Sequence, residues 1–236
     1  MSILLNHKLE LQKQGFTTIP NIYSNREIND LIEVLESLNI ESTNFRKTTD
    51  LFAIRQFLKE VPEVHNLIFN NNLRQLVYEY FGEDYFLVKS IYFDKPPASN
   101  WFVSYHQDLS ISVNKKEIIP EYTNWTVKQH QFGVQPPLEI LESLYTMRIH
   151  LDDTDKNNGA LKVIPESHGK GIYRPETIDW NTEKEVICNV PKGGIMLMKP
   201  LLLHSSNRTS NNQRRRVIHL EFSNKKLAKK LDWAEK

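Results

Sequence analysis

His106 and Asp108 stand two residues apart in the segment Tyr105-His106-Gln107-Asp108, and His204 follows almost a hundred residues later. Alternate residues of a strand point to one face, so His106 and Asp108 project together while Gln107 turns away. One imidazole beside one carboxylate is most of a metal site. A second imidazole from a distant strand completes a 2-His-1-carboxylate triad, which holds non-haem Fe(II) and leaves positions open for chemistry. The segment His204-Ser205-Ser206-Asn207-Arg208 leads on to the triplet Arg214-Arg215-Arg216. An arginine about ten residues past the histidine fits the next antiparallel strand, where its planar fork can grip a carboxylate. The pattern points to an iron site with an anion clamp beside it.

Each of these residues has a rival. His219 lies in the last strand and competes with His204 as the third ligand; the arginines that follow His204 favour His204. His7 and His65 fall outside the β region. His150 and His168 fit structural hydrogen bonds, and His130 fits exposure or a substrate contact. Three consecutive arginines can also form a solvated or nucleic-acid-facing patch. On a strand, however, Arg215 faces one side and Arg214 and Arg216 the other. The flanking Val217, Ile218, Leu220 and Phe222 argue for a buried strand, so at least one guanidinium points inward and needs an anion.

The elements that must position these residues change character along the chain. The first 82 residues read as mainly helical. Ser24 and Glu27 fit a capping box ahead of an apolar stripe at Ile28, Leu31, Ile32, Leu35 and Leu38. A second helix begins near Pro62. A third carries Leu73, Leu76, Val77, Tyr80 and Phe81 and stops at Gly82. From residue 83 the period becomes two. Strands are predicted over 85–93, 101–106, 144–151, 160–164, 185–190, 195–199 and 215–222, with His106 closing one strand and His204 another. Asp155-Lys156-Asn157-Asn158-Gly159 is a turn. Residues 110–137 look irregular, and their length suggests a mobile lid over the pocket, with Trp125, His130 and Gln135 in it and Trp101 and Tyr105 near it. Residues 224–236 are expected to form a charged terminal helix. Many short strands suggest a barrel or sandwich, within residues 83–223 of a single domain of residues 1–236.

Composition bounds the rest. In 236 residues, 39% are hydrophobic and 25% charged, which fits a folded domain with ordinary surface. A formal charge of +1 gives no overall drive toward nucleic acid or acidic membranes. Cys188 is the only cysteine, so there is no intrachain disulfide and no call for an oxidising compartment. The apolar run at the start is too short for a signal peptide. A cytoplasmic location, a monomer or homodimer, and a small-molecule partner are the expectations.

Several ordered segments together resemble the phytanoyl-CoA dioxygenase family of Fe(II)/2-oxoglutarate-dependent oxygenases, and its small bacterial members in particular. They include Phe93-Asp94-Lys95-Pro96, His106-Gln107-Asp108-Leu109, Arg148-Ile149-His150-Leu151-Asp152-Asp153, Asn157-Asn158-Gly159-Ala160-Leu161, Ile164-Pro165-Glu166-Ser167-His168, Met198 through His204, and Arg215 through Phe222. The resemblance covers residues 86–222. It implies a mainly β protein with flanking helices, built on a double-stranded β-helix, the jelly-roll or cupin-like barrel. It implies iron held by His106, Asp108 and His204, which carry the catalysis, with O2 as co-substrate. It implies that Arg215 grips the distal carboxylate of 2-oxoglutarate with help from Ser206; a one-residue shift would nominate Arg214 or Arg216. The implied reaction hydroxylates an unactivated C–H bond of a metabolite and releases succinate and CO2. The same chemistry on a peptide or protein side chain, or a silent metal-binding barrel acting as a binding module, are the alternatives.

Overall fold

The computed structural model describes residues 3–38, 45–48, 52–97, 99, 101–128 and 131–236. Six α-helices occur among them: α1 Ile3–Gln14, α2 Asn25–Ser37, α3 Phe57–Glu60, α4 His65–Ile68, α5 Asn71–Phe81 and α6 Leu138–Ser143. The strands are β1 Phe16–Ile19, β2 Phe45–Lys47, β3 Phe52–Arg55, β4 Phe86–Lys95, β5 Val103–His106, β6 Ile111–Val113, β7 Thr123–Lys128, β8 Gln131–Gln135, β9 Tyr145–His150, β10 Leu161–Val163, β11 Val186–Ile187, β12 Ile195–Met198, β13 His204–Ser206 and β14 Arg215–Ser223.

Among the described residues, a seven-stranded sheet runs β1-β12-β9-β14-β4-β3-β2, a four-stranded sheet runs β11-β10-β13-β5, and a small sheet runs β6-β8-β7. All the pairings are antiparallel. The fold is mostly β with helices outside, consistent with the expected jelly roll.

The period-2 rule decides what faces what in the large sheet. Ile218, Leu220 and Phe222 of β14 join Met147 and Ile149 of β9 and Ile195 and Leu197 of β12 in one buried cluster with Ile28, Leu31, Phe57, Ile68 and Leu73 of the helices. The helices therefore cover one face of the sheet. The alternate residues, among them Arg215 and His219 of β14 and Arg148 of β9, look the other way into a cavity. That is a fold-level reason for polar residues inside: they line the space between two sheets.

Local chemistry sets several element ends as the sequence suggests. The Ser24 hydroxyl accepts from Glu27 N–H at 3.3 Å, and the Glu27 carboxylate accepts from Ser24 N–H at 2.8 Å. Such a capping box is worth about 1 kcal/mol. Gly82 follows α5 at φ 95°, a value that a side chain disfavours.

One expectation needs an addition and two need correction. The first 82 residues also contain β1, β2 and β3, which extend the large sheet at both edges. Their apolar residues are few, and what stabilises them is pairing with β12 and β4 far along the chain. Residues 110–137 are not irregular: β6, β7 and β8 pair there, and Ile111, Val113, Tyr122 and Val134 are buried. Gly133 in β8 hid the alternation. Residues 224–236 form no helix. That tail folds back with Leu231, Trp233 and Ala234 buried, bridges Val113 through Trp233, and places the Glu235 carboxylate on Ser90 N–H at 2.8 Å. Tertiary burial of the aromatic ring overrode a weak local helix preference. No helix among the described residues is long and apolar enough to cross a membrane.

Candidate metal centre

His106 is the last residue of β5 and His204 the first of β13, and the two are paired across the four-stranded sheet. His204 thus opens a strand instead of closing one. Ser206 pairs with Val103, so β5 spends three residues where β13 spends two. This bulge turns His106 onto the cavity side together with Val103 and swings Tyr105 away. Asp108 lies just beyond β5, its N–H bonded to Pro200 O at 2.9 Å. Gln107 does face away, and its side-chain amide bonds Leu201 O at 2.6 Å, Gly171 O at 2.8 Å and Tyr173 N–H at 2.9 Å. A buried amide satisfied on three sides fixes the loop that carries Asp108.

The tautomers follow from the partners. His106 Nδ1 lies 2.9 Å from Ser104 O and His204 Nδ1 lies 2.9 Å from Leu202 O. A carbonyl only accepts, so both Nδ1 atoms carry a proton, and in the neutral tautomer this leaves the lone pair on Nε2. Those lone pairs face Asp108: His106 Nε2 is 3.7 Å from Oδ1 and His204 Nε2 is 3.7 Å from Oδ2. The spacing is too long for a hydrogen bond and short enough for one ion to touch all three. Burial pushes the pKa of His204 down to about 4, so its ring is neutral at physiological pH. Burial acts to raise the pKa of Asp108, but His204, His219, Lys89 and His106 outweigh it, and the carboxyl is held well below its usual range.

His219 also lies with Asp108 and Glu221 in a cluster compact enough to hold a metal. Its nitrogens are both engaged. Arg148 Nη1 can only donate, so at 3.2 Å it makes Nδ1 of His219 the acceptor, and Nε2–H then donates to Glu221 at 3.0 Å. Glu221 in turn pairs with Lys89 at 2.7 Å. This geometry favours His204 over His219 as the third donor. Two imidazoles and one carboxylate suit a first-row divalent metal such as iron.

The arginine triplet resolves by alternation. Arg214 chelates Asp94 at 2.9 and 2.5 Å, and Arg216 chelates Asp152 at 3.0 and 2.7 Å. Arg215 points into the cavity, 3% exposed, with Nη1 donating to Gly159 O and its Nε without a partner. Ser206 Oγ donates to the same carbonyl at 2.8 Å. The turn brings that carbonyl in at Gly159, φ 84°, where a Cβ would sit 2.7 Å from Lys95 Nζ. The unpartnered Arg215 Nε is a donor suited to a carboxylate, while the Ser206 hydroxyl beside it spends its proton on Gly159 O.

The cavity measures about 170 Å³, small beside the roughly 300–1,000 Å³ of drug-sized ligand sites. Its apolar wall is Ile91, Phe93, Trp101, Val103 and Leu161. Of the residues expected near the substrate, Trp101 is there. Tyr105 instead donates to Glu185 at 2.5 Å beside Trp180. Trp125 packs against the Ile111 and Val134 cluster, and Gln135 accepts from Asn124 at 2.8 Å. His130 lies outside the described residues. None of the described residues of 110–137 lines the cavity, though Ser110, Ile111, Ser112 and Gly133 line an adjoining cleft that shares Lys89 and Ile91 with it. Sequence reasoning missed Lys89 and Arg148. Their inward register follows once β14 is paired with β4 and β9.

A model of the family described as phytanoyl-CoA dioxygenase (PhyH) matches residues 11–217. The chain belongs to this family. The dioxygenase is 21% identical, over 91% of its length and 76% of the relative's, to a probable alpha-ketoglutarate-dependent hypophosphite dioxygenase of Stutzerimonas stutzeri. Among solved structures it resembles EvdO2 of Micromonospora carbonacea var. aurantiaca complexed with 2-oxoglutarate (TM-score 0.66, 17% identity, 94% of this chain and 91% of that one). It also resembles EctD of S. alaskensis (TM-score 0.70, 15% identity, 94% and 77%). The dioxygenase is a non-haem Fe(II)/2-oxoglutarate-dependent oxygenase.

Proposed function

We propose that this dioxygenase hydroxylates a small-molecule metabolite, with His106, Asp108 and His204 holding Fe(II) and with Arg215 and Ser206 holding the distal carboxylate of 2-oxoglutarate. The observation that carries the reading is the convergence of two Nε2 lone pairs and an ionised carboxylate beside an inward, carboxylate-free guanidinium. The compact cavity favours a small substrate over a peptide, which would need an open groove.

When bound, iron and 2-oxoglutarate supply the oxidising power, and the protein supplies orientation and electrostatics. One oxygen atom of O2 enters the new hydroxyl and the other enters succinate. The substrate C–H bond and the C1–C2 bond of 2-oxoglutarate each give two electrons, and CO2 leaves. In this scheme Ser104 O and Leu202 O keep the imidazoles aimed, and the Gly159 carbonyl orients the Arg215 fork. Phe93, Trp101 and Leu161 keep water from the reacting atoms.

Iron-loaded protein, given 2-oxoglutarate and then air, is expected to form succinate in an iron-dependent manner. A screen of small metabolites, hypophosphite included because of the Stutzerimonas relative, is expected to find one that stimulates the rate. Iron-bound protein that yields no succinate with any of them would favour the silent barrel.

A further inference from the structure

The cavity holds a second guanidinium that the proposed reaction does not use. Arg148 sits inside β9, 8% exposed, opposite His219 of β14 and Met196 of β12. Its Nη1 donates to Nδ1 of His219 at 3.2 Å, an acceptor that is not an anion. Its Nε is shielded from solvent and has no partner. Among the described residues Arg148 makes no ion pair, whereas Arg214, Arg216 and Lys89 each have a carboxylate. Burial pushes its pKa down to about 10, which leaves it charged at neutral pH. Asp108 acts on Arg148 through space and offsets part of its burial, but a buried cation with no direct anion still costs several kcal/mol, and a bound anion would offset that cost.

Charge balance says which use. Lys89 and Glu221 cancel each other, and Asp108 cancels one of the two arginines. One guanidinium charge is left over. A ferrous ion adds two positive charges, and the two carboxylates of 2-oxoglutarate remove two. The surplus remains, and it sits in the same cavity as the metal donors.

We propose that Arg148 binds a negatively charged group of the primary substrate, which is a small oxyanion such as a carboxylate or a phosphorus oxyanion. This assignment rests on the iron and 2-oxoglutarate reading above and adds the class of substrate to it. The cavity volume limits that substrate to a few heavy atoms beside the co-substrate. The His219–Glu221–Lys89 chain makes the guanidinium a fixed support: His219 takes one of its N–H groups and Glu221 anchors His219. A charge-assisted pair in such a site is strong because it needs little reordering.

The same oxyanion chemistry has two sources here, the substrate and the metal-proximal carboxylate of 2-oxoglutarate, and calorimetry separates them. Anaerobic iron-loaded protein saturated with 2-oxoglutarate is titrated with acetate, inorganic phosphite and methylphosphonate, with uncharged acetamide as control. At least one anion is expected to bind at least about tenfold more tightly than acetamide. Arg148→Gln is expected to weaken that binding about thirtyfold or more, as loss of a buried charge partner does, while 2-oxoglutarate affinity changes less than about threefold. Arg148→Lys restores part of it and guards against a misfolded glutamine variant. Anions that bind no better than acetamide overturn the proposal. So does an Arg148→Gln protein that loses 2-oxoglutarate as severely as Arg215→Ala, which would assign Arg148 to the co-substrate. Parent protein that binds neither iron nor 2-oxoglutarate would instead sink the proposed function, and the two failures are thereby distinct.

Discussion

Arg215→Ala is expected to weaken 2-oxoglutarate binding by roughly thirtyfold to several thousandfold, corresponding to about 2–5 kcal/mol for truncating one partner of a desolvated charge pair. Arg215 faces the cavity and, among the described residues, has no carboxylate of its own, so its loss is expected to fall on the ligand. Arg215→Lys should recover only part of the affinity, because a point charge cannot reproduce the planar fork. Arg214→Ala and Arg216→Ala should bind 2-oxoglutarate within a few-fold of the parent, since their partners Asp94 and Asp152 lie off the cavity. A calorimetric titration of the three iron-loaded variants checks this. If a neighbour's substitution abolishes binding while Arg215→Ala does not, the clamp has been assigned to the wrong arginine.

Asp108→Ala is expected to lower iron affinity at least about a hundredfold. Changes to groups that merely support metal ligands already cost 10–100-fold, and Asp108 is the one carboxylate between the two free Nε2 atoms. Iron retained after gel filtration, or a direct titration, reads the effect. His219→Ala, by contrast, should keep iron, because both nitrogens of His219 are spoken for by Arg148 and Glu221. Iron lost from His219→Ala and kept by His204→Ala would move the site to the His219 and Glu221 cluster.

Much of this site was legible because side chains alternate along an unbroken strand. That alternation places His106 with Asp108, turns Gln107 away, and separates Arg215 from its two neighbours on sequence grounds alone. Alternation failed where the backbone broke it: the extra residue in β5 sent Tyr105 to Glu185 and away from the cavity. Lys89 and Arg148 were illegible for another reason. Each sits in an apolar strand, and whether it faces helices or cavity depends on pairing with β14, more than sixty residues away in sequence. The tail beyond residue 223 was misread because its charges and spacing suit a helix, while Trp233 finds a better burial against Val113. The capping box of α2 needed only four residues, and it was read without error.

The pairing of His106 with His204 has a mechanical side. β5 is the outer strand of its sheet, held by β13, and the ladder between them is interrupted by the bulge. An ion gripped from both strands would fasten chain positions nearly a hundred residues apart, across a seam that the bulge interrupts. Closing a loop of that length is entropically costly, and a ligand that binds only the closed form adds stability by mass action. Iron supply would then govern how long the protein survives as well as how fast it turns over. Starved of metal, the molecule should first fray at β5, and limited proteolysis with and without a chelator would show the cut moving there.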